Sequence, residues 1–181
     1  MSNLTLSLDV STSSTGWAIF KGSSLVGSGV VKPKGKLTYF ERGLIMSNRL
    51  NSIQSEAIKI YDEPFEYVVI EKNSVMGPNQ QSMIKIGIVT GMILRRCVAD
   101  KVAFVNVSTW RKFWKFSYKD RSKKSMKFQA ITKVLQEFNQ EVKDDEADAI
   151  LIGSYFVTWG KDFADLEEYK YLEIVNGDME S

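Results

Sequence analysis

The chain has 181 residues, 44% hydrophobic and 25% charged, which suits one globular domain with a real core and excludes a fibrous or low-complexity chain. Its 24 basic and 22 acidic residues leave a net charge of +2, so any electrostatic signal must come from local clustering. There is no histidine and only one cysteine. That excludes Ser-His-Asp and Cys-His catalysis, histidine-bound or all-cysteine zinc, and a disulfide framework. The chemistry left open is that of carboxylates, lysines, hydroxyls or a bound hard cation.

Leu4, Leu6 and Leu8 alternate with Thr5 and Ser7, which predicts a strand running into Asp9. The hydroxyl run from Ser11 to Thr15 predicts a turn, with strands following at Gly16–Phe20 and Leu25–Val31. These three form an antiparallel meander. Lys32, Lys34 and Lys36 then mark a basic loop. A helix is predicted over Tyr39–Tyr61, with Phe40, Leu44, Ile45, Leu50, Ile53, Ala57, Ile58 and Tyr61 on its apolar stripe and Pro64 beyond its end. Tyr67–Glu71 is a nearly continuous apolar run, the pattern of a central strand covered on both faces. A loop at Asn73–Asn79, a helix from about Gln80 to Ala99 and a buried strand at Val102–Val107 complete this half. Cys97 falls in an apolar pattern and reads as core.

Ser108 is a candidate cap for a short turn around Trp110. Ser122 or Ser125 leads into a helix ending near Phe138, and Asp144 or Asp145 opens a last helix to about Trp159. Residues 161–181 carry seven acids against two bases and read as an acidic tail after a domain spanning 1–160. The order is a mixed α/β chain, three antiparallel strands followed by strands with helical crossovers, which suits a five-stranded RNase H-like sheet flanked by helices. The start of the chain lacks a basic n-region followed by an apolar run, and Ile84–Leu94 is too short to span a bilayer. A soluble, cytoplasmic protein with no membrane partner is expected.

Four acids are singled out by position. Asp9 ends the first strand, Glu71 ends the fourth, and Asp145 and Asp148 sit three apart at the start of the last helix, on one face. Taken singly each has an ordinary reading: Asp9 as a turn cap, Glu71 as a solvated strand end, and Asp144, Asp145 and Glu146 as helix-start acids favoured by the dipole. Asp148 lies next to Ala147, Ile150 and Leu151, where a carboxylate needs a partner. Together they would point carboxylates from three parts of the chain at one place. Such a cluster asks for a divalent cation, and oxygen-only ligands favour Mg²⁺, with Mn²⁺ able to substitute. Two ions about 4 Å apart are a common device for cleaving a phosphodiester. The helical spacing leaves the choice between Asp144 and Asp145 open.

Residues 111–127 hold eight basic side chains (Arg111, Lys112, Lys115, Lys119, Arg121, Lys123, Lys124 and Lys127) against one acid, Asp120. This one-signed excess predicts binding to a polyanion through phosphate contacts. Trp110, Phe113, Trp114, Phe116 and Tyr118 interleave with the cations, either to stack on bases or to seat the segment in the core. In the second helix, Gly87 and Gly91 permit close helix contact, either on the sheet or against a second subunit.

These residues resemble the RuvC family of Holliday junction resolvases, and most of all its bacteriophage branch. The likeness rests on Leu8-Asp9-Val10-Ser11, Thr15-Gly16-Trp17-Ala18, Val69-Ile70-Glu71, Ile86-Gly87 through Thr90-Gly91, and Asp145-x-x-Asp148-Ala149. It spans about residues 4–158. The resemblance implies an RNase H-like fold, a homodimer, and Mg²⁺-dependent cleavage of four-way and branched DNA by paired symmetric nicks that leave 5′-phosphate and 3′-hydroxyl ends. It implies a host-cell cytoplasmic location for a phage-encoded member. It places the family's acidic tetrad on Asp9, Glu71, Asp145 and Asp148, choosing Asp145 over Asp144. Family lysines near the scissile region fall loosely on Lys112 or Lys115 and on Lys124. Three departures stand out. Val10-Ser11 replaces the Pro-Gly usual in bacterial members, Lys72 to Met76 lacks their aromatic wedge, and Trp110 to Lys119 is more aromatic and basic than theirs. Relaxed cleavage specificity is the expectation from the last two.

Other readings compete. Ribonuclease H proper has its glutamate on the first helix, and many DDE transposases carry a glutamate on the last helix. The turn from Ser11 to Gly16 resembles the phosphate loop of sugar kinases and actin-like ATPases, which need a second comparable domain. A branched-DNA-binding module without catalysis is the alternative of a different class.

Overall fold

A computed structural model of the chain describes residues 4–72 and 80–168. Its elements in order are β1 (Leu4–Val10), β2 (Thr15–Lys21), β3 (Ser24–Val31), α1 (Tyr39–Tyr61), β4 (Phe65–Lys72), α2 (Gln80–Leu94), β5 (Ala99–Asn106), α3 (Val107–Phe113), α4 (Lys123–Phe138), α5 (Asp144–Thr158), a 3₁₀ turn at Gly160–Phe163, and β6 (Asp165–Glu168). The expected loop after β4 and its missing aromatic fall at 73–79, outside the described residues.

Among the described residues six strands form one mixed sheet in the order β3-β2-β1-β4-β5-β6. β1, β2 and β3 pair antiparallel, while β1–β4 and β4–β5 pair parallel. β6 adds one strand to the five expected, within the stretch read as a tail. It pairs antiparallel with β5 from Lys101 to Phe104 and covers an edge that would otherwise be open.

Period-two alternation decides what each face of the sheet holds. On β1, Leu4, Leu6, Leu8 and Val10 face a core built with α1 and α2, joined by Val68 and Ile70 of β4. The intervening Thr5, Ser7 and Asp9 face the opposite side, where α5 lies, as do Tyr67, Val69 and Glu71 of β4. The sheet is thus buried on both faces and carries its polar strand-end residues toward α5.

The helix limits follow local signals. Thr38 and Glu41 form a reciprocal capping box at the start of α1, and Asp62 ends it in the left-handed conformation just before Glu63-Pro64. Ser122 caps α4 and Asn139 closes it in the same left-handed way. α2 stops at Leu94 rather than near Ala99, because Ala99 already pairs with Phe65 in the β4–β5 ladder. Pairing across the sheet overrides the local helical pattern there. Gln54 and Asn51 of α1 then hold the α2–β5 link, accepting from Val98 N at 3.0 Å and donating to Arg96 O at 2.8 Å. Cys97 is buried as expected, and burial pushes its thiol pKa up to about 12.

The apolar stripe of α1 departs from the sequence reading at its first turns. Phe40, Leu44 and Ile45 are exposed, and the buried line instead runs through Gly43, Met46, Ser47, Leu50, Ile53, Gln54 and Ala57. Gly43 is there because α2 comes so close: a Cβ would sit 3.0 Å from the Met92 sulfur. On α2 itself only Val89 and Ile93 are buried. Ile84 and Ile88 are exposed, and a Cβ on Gly87 or Gly91 would meet nothing.

Candidate active site

The four acids arrive from three elements, and the sheet register brings two of them together. Leu8 of β1 pairs with Ile70 of β4, so Asp9 and Glu71 are the next residues along two adjacent parallel strands, on the same face. α5 supplies the other two, and two glycines set how close it comes. Gly16 pairs with Asp9 across β1–β2, and a Cβ on it would stand 1.8 Å from the Asp145 carbonyl oxygen. Farther along α5, a Cβ on Gly153 would stand 2.7 Å from Ser7 Cβ and 2.5 Å from the Phe20 ring. The absence of side chains at both points lets α5 lie against β1 and β2 with its first turn beside Asp9.

The three consecutive acids at that first turn diverge. Asp144 bonds Lys127 of α4, Asp145 Oδ2 accepts from Ser14 Oγ at 2.5 Å, and Glu146 Oε1 accepts from Ser28 Oγ of β3 at 2.8 Å. Asp145 is therefore the one turned to the β1–β2 turn that follows Asp9. That turn is self-bonded: Ser11 Oγ donates to Ser14 O at 2.8 Å and accepts from Ser14 N at 3.1 Å. It holds the buried Ser14 in place to meet Asp145. Glu71 is held in turn by the fully buried Trp110, whose indole N–H donates to Oε2 at 2.9 Å.

All four carboxylates are half-buried. Burial, then repulsion from Asp148, Glu71 and Asp145, pushes the Asp9 carboxyl well above the ordinary carboxylate range. Burial and the neighbouring Glu71 raise Asp148 to about 7. Burial also raises Glu71, against the opposing pull of the Trp110 bond. Asp144 is different: its bond to Lys127 holds it below its usual value, and the same bond raises the lysine. Asp9, Glu71, Asp145 and Asp148 thus share one concentration of negative charge, and Asp144, paired with Lys127, adds a smaller push on Asp148. The donor set is oxygen only, which suits a hard divalent cation. As placed, no three acidic or cysteine side chains among the described residues stand close enough to hold one metal ion. The carboxylates feel one another without forming a closed ligand shell.

The basic segment packs along α5 through Trp114 and Phe113 and runs into the start of α4. Lys112, Lys115, Lys119, Arg121, Lys123, Lys124 and Lys127 are exposed, while Arg111 is half-buried. Of the two readings for the aromatics, seating holds for four of five. Trp110 and Phe116 are buried and packed edge to face at 5.4 Å. Phe113 packs on Tyr155, and Trp114 donates its indole N–H to Leu151 O at 2.9 Å. Tyr118 is exposed, with Arg121 over its ring at 5.8 Å. Gln129 of α4 ties the loop down, accepting from Ser117 N at 2.7 Å and donating to Ser117 O at 3.0 Å.

Sequence reasoning missed Ser14, Trp110 and Arg111 as neighbours of the acids. Only Trp110 carried a usable signal, because a buried indole N–H needs an acceptor. No helix among the described residues is long and apolar enough to cross a membrane.

No protein-family model and no curated protein matches the chain. Solved structures do. T. thermophilus RuvC in complex with a Holliday junction substrate superposes with a TM-score of 0.62 at 13% identity, covering 91% of this chain and 99% of that one. A second Thermus thermophilus RuvC structure gives 0.59 at 16% identity with the same coverage. The yeast mitochondrial Holliday junction resolvase Ydc2 gives 0.50 at 11% identity, covering 87% of this chain and 78% of that one. At these identities the likeness establishes the fold, which is RNase H-like.

Proposed function

We propose that this protein is a metal-dependent, structure-selective endonuclease that resolves four-way and branched DNA junctions. Paired symmetric nicks would leave 5′-phosphate and 3′-hydroxyl ends. The observation that carries this reading is the convergence of Asp9, Glu71, Asp145 and Asp148, from β1, β4 and α5, beside a one-signed surface of exposed cations. The fold is one shared with resolvases, one of them solved on a Holliday junction.

Asp9, Glu71, Asp145 and Asp148 would hold Mg²⁺, or Mn²⁺ in its place. Bound there, the cation supplies Lewis-acid charge to activate a water and to stabilise the leaving 3′ oxygen. The protein's own part is placement. Ser14 fixes one oxygen of Asp145 and Trp110 one oxygen of Glu71. Gly16 sets the separation of α5 from Asp9. Lys112, Lys115, Lys119, Arg121, Lys123, Lys124 and Lys127 would contact backbone phosphates and position the junction.

A homodimer belongs to this reading, since paired nicks need two sites. The exposed apolar faces of α1 and α2, with Gly87 and Gly91 open to close approach, are the surface proposed for it.

One observation favours a second reading, that of a branched-DNA-binding module without catalysis: the acids do not form a closed metal shell as they stand. A single experiment separates the two. Purified protein is incubated with labelled four-way junction and with duplex, with Mg²⁺ and with chelator. Symmetric nicks confined to the junction with Mg²⁺ support the nuclease. Binding in every lane without nicks supports the module.

A further inference from the structure

Arg111 stands apart from the other seven cations of its segment. They are exposed; it is half-buried. Its guanidinium lies 5.0 Å from the Trp110 ring centroid and 5.9 Å from that of Phe116. Trp110 is the same side chain whose indole N–H bonds Glu71. One rigid ring therefore carries the arginine on its surface and a site carboxylate at its edge.

One donor of Arg111 is uncommitted. Its Nε is buried with no hydrogen-bond partner among the described residues. Nor does it form a direct ion pair with any described carboxylate. Leaving a buried N–H unpaired is unfavourable, and native proteins keep such groups where a ligand or a function accounts for them. The charge nevertheless reaches the site, drawing on Asp9, Glu71 and Asp148 alike. A guanidinium is weakly hydrated, permanently charged, and carries a planar fork of donors matched to phosphate oxygens.

We propose that Arg111 is the built-in counter-ion of the acidic site, which stands against the divalent cation in the ion-free protein and offers the fork of its half-buried guanidinium to a phosphate oxygen of bound DNA. This rests on the nuclease reading above. Its consequence has an unusual sign. Removing a fixed positive charge from beside the acids strengthens their attraction for a second cation. The same change takes the guanidinium fork away from the phosphate. Arg111 variants should bind metal more tightly and cut more slowly. An arginine that only packed the core would, when replaced, loosen the site and weaken metal binding instead.

The test is titration of Mn²⁺ alone into the full-length protein, followed by calorimetry, for wild type, Arg111→Ala, Arg111→Gln, Arg111→Lys and Asp148→Asn. Junction cleavage is then measured at saturating Mn²⁺. Arg111→Ala and Arg111→Gln are expected to bind Mn²⁺ roughly five- to tenfold more tightly and to cleave at least about tenfold more slowly. Arg111→Lys keeps the charge, so its Mn²⁺ affinity stays near wild type while cleavage falls for want of the planar fork. If Arg111→Ala unfolds, as a melting curve would reveal, Arg111→Gln retains a planar group over Trp110 and carries the test. Unchanged or weaker Mn²⁺ binding in the neutral variants overturns the proposal. The metal-site reading itself fails separately, if wild type binds no Mn²⁺ or Asp148→Asn binds it equally well.

Discussion

The acidic pocket and the basic segment carry opposite charge under opposite conditions. Asp9, Glu71 and Asp148 are half-buried and all raised in pKa, Glu71 by burial and the two aspartates by burial and neighbouring carboxylates. The cations of residues 112–124 stand in water on a loop and helix pinned by Gln129 and Ser122, and Lys127 alone of the exposed ones pairs with an acid among the described residues, Asp144. Solvated like charges are tolerated cheaply. Half-buried ones are not, and a fold keeps them together only by rigid construction: a parallel strand pair, a glycine contact, and single bonds from Ser14 and Trp110. Changes to the pocket should therefore be large and local, and changes to the basic surface small and graded.

The largest effect is expected from the pocket's charges. Asp9→Asn or Asp148→Asn should lower junction cleavage by at least about a thousandfold, while junction binding in a gel-shift assay stays within a few fold. Normal cutting by either variant would remove these residues from the site. Next comes Gly16→Ala, which places a methyl where the Asp145 carbonyl now stands. α5 must shift, so a drop of about 1–3 kcal/mol in stability and a fall of about a hundredfold in cleavage are expected, from denaturant melts and kinetics. A variant as stable and active as the parent would show that close approach to be unimportant.

A third prediction uses the sign of the Asp148 shift. Its carboxyl titrates near 7 in the folded chain against an ordinary 3.8. Between those values the folded state holds the proton better than the unfolded one. Metal-free stability therefore falls as pH rises through that window, and the penalty is complete above it. Asp148→Asn should raise the melting temperature by a few degrees at about pH 8 in chelator. It should make little difference at about pH 4. A melting temperature lowered at the higher pH would contradict the crowding argument.

The smallest effect belongs to the basic surface. Lys119→Ala or Lys124→Ala should weaken junction binding only a few fold and reduce the log–log salt slope by about 0.9 for each phosphate no longer neutralised. An unchanged slope would place that lysine away from the DNA.

Much of this architecture could be read in the residues. Alternation at Leu4, Leu6 and Leu8 and the continuous run at Tyr67–Ile70 located β1 and β4, and with them Asp9 and Glu71. Ser122 and the acids at Asp144 and Asp145 located the starts of α4 and α5. What escaped depended on distant parts of the chain meeting. The end of α2 was decided by β4–β5 pairing, and β6 by an edge that needed covering. Phe40, Leu44 and Ile45 fit the helical period of α1 yet are exposed, because Gly43 brings α2 onto the neighbouring line. The divergence of Asp144, Asp145 and Glu146 depends on partners at positions 127, 14 and 28, which no helical spacing can specify. Arg111 belonged to a run of cations and differs from them only because two aromatic rings turn it inward.

The most direct measurement is anomalous diffraction from crystals of the protein grown or soaked with Mn²⁺. A strong peak within ligand distance of oxygens from Asp9, Glu71 and at least one of Asp145 and Asp148 is the predicted result. Full Mn²⁺ occupancy elsewhere on the molecule, with none among these four side chains, would contradict it.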